Sequence, residues 1–355
     1  MRIPPDLSLE LALAADEHGL LSVARYRERG GDPRALRIAC AAGALTRVRL
    51  GIYCDSALWC SLSPREQHVA RVRAALSQVG PEFSAAGLSA AAVWDLPILG
   101  SWPPTVTLLG PYRGGGRSDP GVRRVTAGFE TAEIVDVGGV RATTCARTAL
   151  QLAARGDFVA GVMAADAVLR SGAPRAELWR EFDGAGPRLA TRAAARAIEF
   201  ADGASESPGE SAARAAIFLA GFETPELQVE FVDAEGVMRA DFAWANRRIV
   251  GEFDGRQKYQ REGNGGEDPQ AVLWREKLRE DRLRRQAEAM VRLVWADVMS
   301  RERLVRALDA GGVPRRAGLS PQPRDSRPNR VPHAARSHAR DASPPHETGV
   351  GRVGG

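Results

Sequence analysis

Between Met238 and Asp254 the chain reads MRADFAWANRRIVGEFD, two apolar-rich runs joined by a short polar turn at Ala245–Arg247. Residues two apart on a strand share a face, so the second run sends Glu252 and Asp254 to one side and Gly251 and Phe253 to the other. Acidic residues are poor strand formers and costly to bury. A hairpin built from these runs brings Asp241, near the end of the first, beside Glu252 on the second. Three carboxylates converging on one sheet face repel one another strongly unless something neutralises them. An oxygen-preferring divalent cation, Mg²⁺ or Mn²⁺, is the economical neutraliser. Ion pairs with Arg239, Arg248 or arginines of the following helix are the alternative. The stretch 204–312 contains no histidine and no cysteine. Zinc is therefore disfavoured, and His-base mechanisms are excluded there. Metal-assisted hydrolysis of a phosphodiester is the chemistry left.

The surroundings of this hairpin form a unit spanning 204–312. Ser207-Pro208 starts a helix that Gly221 closes. PELQVEFV reads as a strand, Asp233–Gly236 as a hairpin turn, VMRADFAW and RIVGEFDG as the next two strands. A Gly-rich loop, a charged helix over Trp274–Ala289, a strand MVRLVW and a closing helix follow. The order is αβββαβ(α).

This order, with a helix-borne Glu followed by D-x10-E-x-D, resembles the PD-(D/E)xK nuclease superfamily and most nearly its Vsr-like endonuclease branch. The resemblance implies a restriction-endonuclease-like fold that cleaves DNA with Mg²⁺. It assigns Glu210, Asp241 and Glu252 to the metal, with Gln228 and Arg214 in support. Asp254-Gly255 stands where the wider superfamily has the lysine of E-x-K, and Lys258 is the substitute cation, with Lys277 or Arg279 as further candidates. Trp244, Trp274 and Trp295 read as core packing, or else as platforms for stacked bases.

At the other end, residues 1–60 read as three short helices and a hairpin. LSLELALAADEHG has helical spacing, Ser22 caps a second helix, and Asp32-Pro33 starts a third that buries Leu36, Ala39 and Cys40. LTRVRLGIYC alternates around Gly51 as a two-stranded wing does. This is the pattern of a winged helix-turn-helix, whose third helix enters the major groove. Arg34 and Arg37 lie on one face of that helix, and Arg47 and Arg49 lie on the wing. The alternative is a small packing domain with a solvated basic face. HGLLSVARYRERGGDPRALRIACAAGALTRVRLGIY resembles the N-terminal domain of the AbiEi family of type IV antitoxins. That resemblance implies a transcriptional repressor that binds DNA, with a cognate toxin as a partner.

Residues 61–203 read as an α+β unit. Ser63 and Glu66 have capping-box spacing, the strands are TVTLL, GVRRVT, EIVDV and VRATT, and packed helices follow. GPYRGGGRSDPG lacks the GK[ST] ending of a phosphate loop and reads as a turn. Beyond Gly312 the chain is Pro, Arg, Ser and His with few large apolar residues, a composition expected to be disordered. Its eight arginines against Asp325, Asp341 and Glu347 account for the whole formal charge of +5, so the remainder balances 41 basic against 41 acidic side chains. Any DNA contact by the folded part must therefore come from local patches. Four cysteines without CxxC spacing read as reduced core residues. With no signal-peptide-like start and no long apolar run, the expectation is a soluble cytoplasmic protein.

Overall fold

A computed structural model describes residues 14–111, 119–244, 246, 248–255 and 269–316. Lys258, most of the first expected helix, most of the GPYRGGGRSDPG turn and the tail beyond Arg316 lie outside the described residues. The fold is mixed α and β, with three sheets and 13 helices among the described residues.

The first sheet contains β1 (Leu20–Ser22), β2 (Leu45–Arg49) and β3 (Ile52–Asp55), in the antiparallel order β1-β3-β2. Two helices, α1 (Val23–Glu28) and α2 (Pro33–Ala41), intervene between β1 and β2. Both start as the sequence indicates. The Ser22 hydroxyl accepts from the Arg25 N–H, and the Asp32 carboxylate accepts from the Arg34 N–H with Pro33 at the first position. Leu36 and Ala39 pack against Leu21, Tyr26, Leu45 and Tyr53, while Cys40 is only partly buried. β1 and the six-residue α3 (Ser56–Ser61) are too short to show a period in sequence.

The second sheet follows α4 (Pro64–Leu76), which carries the expected Ser63–Glu66 capping box. Its strands are β4 (Ser84–Ala85), β5 (Val106–Leu109), β6 (Val122–Val125), β7 (Ile134–Val137) and β8 (Val140–Thr143), and α5 (Leu88–Trp94) lies between the first two in sequence. They are ordered β6-β5-β4-β8-β7, so β6 is an edge strand. A helical cluster covers α6 (Cys145–Ala153), α7 (Phe158–Arg170), α8 (Arg175–Asp183) and α9 (Arg192–Phe200), packed around Leu150, Val162, Leu178 and Ile198.

The third sheet contains β9 (Glu226–Asp233), β10 (Gly236–Trp244), β11 (Ile249–Asp254) and β12 (Ala289–Val294), ordered β12-β11-β10-β9. The first three form an antiparallel meander, and β12 runs parallel to β11. One face carries Phe242, Trp244, Val291 and Leu293 against α10 (Pro208–Ala220) and α13 (Arg301–Ala310). The other carries Val229, Phe231, Ala240 and Val250 against Leu283 of α11 (Pro269–Gln286). A four-residue α12 (Trp295–Val298) leads into α13. The expected order of elements is therefore present.

The three sheets belong to one compact unit, Met1–Ala317. Arg49 of β2 pairs with Asp119 just before β6, and Arg214 of α10 pairs with Asp166 of α7. The sequence boundary at Gly312 falls slightly early. Val313 is buried, the Pro314 carbonyl accepts from the Glu223 N–H, and Arg315 lies over the Phe222 ring. Cys60 is exposed, contrary to the expectation of four core cysteines. Among the described residues no helix is long and apolar enough to cross a membrane.

Candidate functional site

The hairpin of β10 and β11 sets the acids as the period-two argument requires. Its register pairs Phe242 with Gly251 and Trp244 with Ile249, so Asp241 stands opposite Glu252 at the next step. Asp241 Oδ2 accepts a hydrogen bond of 2.8 Å from the Phe253 N–H, which fixes one carboxylate oxygen on the neighbouring strand. Asp254 follows Glu252 on the same face, at the end of β11, and is half-buried.

Gln228 joins this group from the other side of β10. The β9–β10 register runs through Ala240–Val229 and resumes at Phe242–Leu227, which places Gln228 opposite Asp241 where the ladder is interrupted. Gln228 has φ +51°, a left-handed angle that non-glycine residues seldom adopt. The alternation of both strands slips at this point. Val229 and Ala240 pack in one core, whereas Leu227 and Phe242, two residues away, pack in the other. The Gln228 amide donates to Glu210 Oε2 at 2.8 Å, and the Glu206 N–H donates to the same oxygen at 2.9 Å. Glu210 itself is buried at 4% exposure, in the first turn of α10. Gly209 makes that position possible, because a Cβ there would stand 1.9 Å from the Phe253 ring. Glu210, Gln228, Asp241 and Glu252 thus follow one another in a row, Gln228 bonded to Glu210 and register setting Gln228 opposite Asp241 and Asp241 opposite Glu252.

Arginines complete the surroundings. Arg279 of α11 places Nη2 2.8 Å from Glu252 Oε1, and its Nη1 donates to the Arg239 carbonyl. The geometry of that ion pair does not make a hydrogen bond, and Oε1 is buried without one. Arg292, opposite Glu252 in the parallel β11–β12 register, lies 3.6 Å from Oε2 and is also bound by Glu280 at 2.6 Å. The Glu280 hydrogen bond, with the charges of Glu252 and Asp254 beyond it, pushes the Arg292 guanidinium up from its ordinary value. Arg239 and Arg248, the other arginines considered from sequence, pair elsewhere, with Glu206 and Glu288. Among the described residues no group of three or more His, Cys, Asp or Glu has the spacing of an ion site. The carboxylates of the row offer oxygen donors, the type a hard cation such as Mg²⁺ or Mn²⁺ takes, with Arg279 Nη2 already standing 2.8 Å from Glu252 Oε1.

Arg214, expected to support this row, faces away from it. Both Asp166 oxygens accept from its Nη2 at 2.9 and 3.0 Å, and its Nη1 donates to the Phe200 carbonyl, with both partners nearly fully buried. Its contacts tie α10 to the helical cluster. Trp244 is buried and donates to the Glu223 carbonyl, and Trp295 meets Phe253 edge-on, so both pack the core. Trp274 is 60% exposed.

Of the four basic residues expected on the N-terminal part, Arg34 and Arg37 are exposed on α2 beside the exposed Ile38, and Arg47 is exposed on β2. Arg49 departs from that set. Its guanidinium is held by Asp119, by Gln78 Oε1 and by the Pro120 carbonyl.

No protein-family model matches the chain. Two uncharacterized proteins of Mycobacterium tuberculosis, Rv2248 of strain H37Rv and MT2308 of strain CDC 1551 / Oshkosh, are each 35% identical to it over 144 residues. The match takes in 38% of this chain and 53% of each relative, so the chain spans about half the length of the curated relatives it matches. A crystal structure of the RV2827C protein from the same organism is similar at 20% identity and a TM-score of 0.37, over 66% of this chain and 90% of that one.

Proposed function

We propose that this chain is a cytoplasmic DNA-binding protein whose C-terminal part hydrolyses DNA phosphodiester bonds with a divalent cation. The observation that carries the reading is the register that sets Asp241 opposite Glu252, with Glu210 tied to Gln228 in the same row. The αβββαβ order, with β11 and β12 parallel, supports assignment to a PD-(D/E)xK fold of the Vsr-like kind. The order β1-β3-β2, with two helices between its first two strands, supports an AbiEi-like winged helix at the N-terminus. Arg34 and Arg37 of α2 then face the major groove, and Arg47 faces the backbone.

In this reading Glu210, Asp241 and Glu252 hold Mg²⁺ or Mn²⁺. When bound, that ion supplies an activated water and stabilises charge at the phosphate. The chain's own contribution is positional. The Phe253 N–H orients Asp241 and the Gln228 amide orients Glu210, and Asp254 is assigned to assist the site. Lys258 is the side chain assigned to the phosphate charge.

A second reading rests on a specific observation. Arg279 and Arg292 already neutralise Glu252, and Asp254 stands where E-x-K has its lysine. Both favour a non-catalytic repressor, an antitoxin acting with a cognate toxin. Incubating the purified protein with supercoiled plasmid and Mg²⁺ or Mn²⁺, with an EDTA control, separates the two. Metal-dependent nicking supports the nuclease, whereas retarded but intact DNA supports the repressor.

A further inference from the structure

Neither the α2 face, Arg47 nor the acidic row accounts for Arg49, Arg71 and Arg124 beside the wing. Between β2 and the edge strand β6 lies a cleft of about 860 Å³, lined by Arg47, Arg49, Arg71, Gln78 and Asp119 among others. Arg49 spans it like a bolt, reaching Gln78, the Pro120 carbonyl and Asp119. Arg124 of β6 approaches the second oxygen of Asp119 at 3.8 Å. Among the described residues Asp119 is the one acid lining the cleft, and its charge is shared between Arg49 and Arg124. Arg47 on β2 and Arg124 on β6 are exposed, and Arg124 also lies over the Phe83 ring. Arg71 lines the cleft while stacking over Trp59. The surplus is positive, and it is spread along a line from the wing to the sheet edge.

A spread of cations without a compact pocket suits a polyanion better than a single anion, because each phosphate of a duplex meets a separate guanidinium. The Arg49–Asp119 pair supplies what a two-part surface needs, a fixed distance between wing and sheet edge. We propose that the cleft and the β6 edge form a second phosphate-backbone contact for duplex DNA held by α2. In it Arg47, Arg71 and Arg124 meet phosphates, and Arg49 serves as the brace. The proposal rests on the DNA-binding reading above and is independent of whether the acidic row cleaves.

The test is the salt dependence of binding to a fluorescently labelled random-sequence duplex, read by anisotropy with the full chain. Each phosphate contact contributes about 0.9 to the slope of log affinity against log salt. The R124A variant is expected to flatten the slope by about 0.9 relative to wild type, with its circular dichroism unchanged. R124K is expected to restore the slope, since the contact reads charge. An unchanged slope in R124A, alongside a flattened slope in R34A/R37A, overturns the second contact and leaves the α2 reading intact. Tighter binding of single-stranded DNA or RNA than of duplex overturns the choice of ligand. No binding of any duplex by wild type overturns both this proposal and the reading under it.

Discussion

Arg214 shows at the residue scale how one side chain can satisfy a sequence motif and serve another purpose. It sits four positions after Glu210, on the same helix, yet its guanidinium is spent on buried Asp166 and the Phe200 carbonyl. Replacing Arg214 with Met leaves Asp166 buried without its partner, a loss of about 3–5 kcal/mol. Urea denaturation should show that loss, and R214M/D166L should recover most of it, because a well-packed apolar pair often matches a buried ion pair. The Asp241–Glu252 pairing was legible in the sequence, since period two and a short turn fix it. The Gln228 kink was not, because no residue preference announces a left-handed glutamine. The Arg292–Glu252 contact was hidden for a different reason. It depends on the register of a parallel strand reached only through a helix, and spacing along the chain does not determine that register.

At the scale of elements, the row depends on how closely α10 approaches β11. Gly209 permits that approach, and G209A puts a methyl group into the Phe253 ring. Overpacking of this kind typically costs about 1–3 kcal/mol. The expected signature is a lowered melting temperature together with loss of any metal-dependent activity, because Glu210 moves with its helix. The β9–β10 hairpin is tied to α11 through Arg282, whose guanidinium beside Asp233 holds that carboxyl down at about 2. A carboxyl lowered in the folded state contributes stability that is present above the ordinary value of about 3.9 and is lost as pH falls toward the folded value. Amide exchange across Val232–Val237 should therefore accelerate between about pH 4 and pH 2, and D233N should remove that dependence. Elements with strong caps or alternation, such as α2, α4 and β5 to β8, were readable from sequence. β1, β4 and α3 were not, since two to six residues carry no period.

Across the whole molecule, contacts cross between the three sequence regions: Arg49 of β2 pairs with Asp119, Arg214 of α10 with buried Asp166, and Met163 of α7 packs in one core with Phe242 and Ile217. His68 is a buried polar contact inside the middle region. The Pro103 carbonyl can only accept, so Nδ1 carries the proton and Nε2 accepts from the Ser89 hydroxyl, itself an acceptor for the Thr107 N–H. Burial lowers the His68 imidazole from its ordinary value, with the Arg71 charge adding to the effect. The unfolded chain then binds the proton more readily, so stability is retained above about pH 6.5 and lost as pH falls below it. Melting temperatures on either side of that pH should show the loss, and H68Q should reduce it. Single-turnover cleavage of a DNA duplex in Mn²⁺ by wild type and D241N measures whether the acidic row is a catalytic site. Wild type is expected to cleave in a way that EDTA abolishes, and D241N at a rate at least about 100-fold lower, as removal of one strong transition-state contact commonly gives. Equal rates in the two proteins, or no cleavage by a wild type that binds the duplex, would overturn that reading.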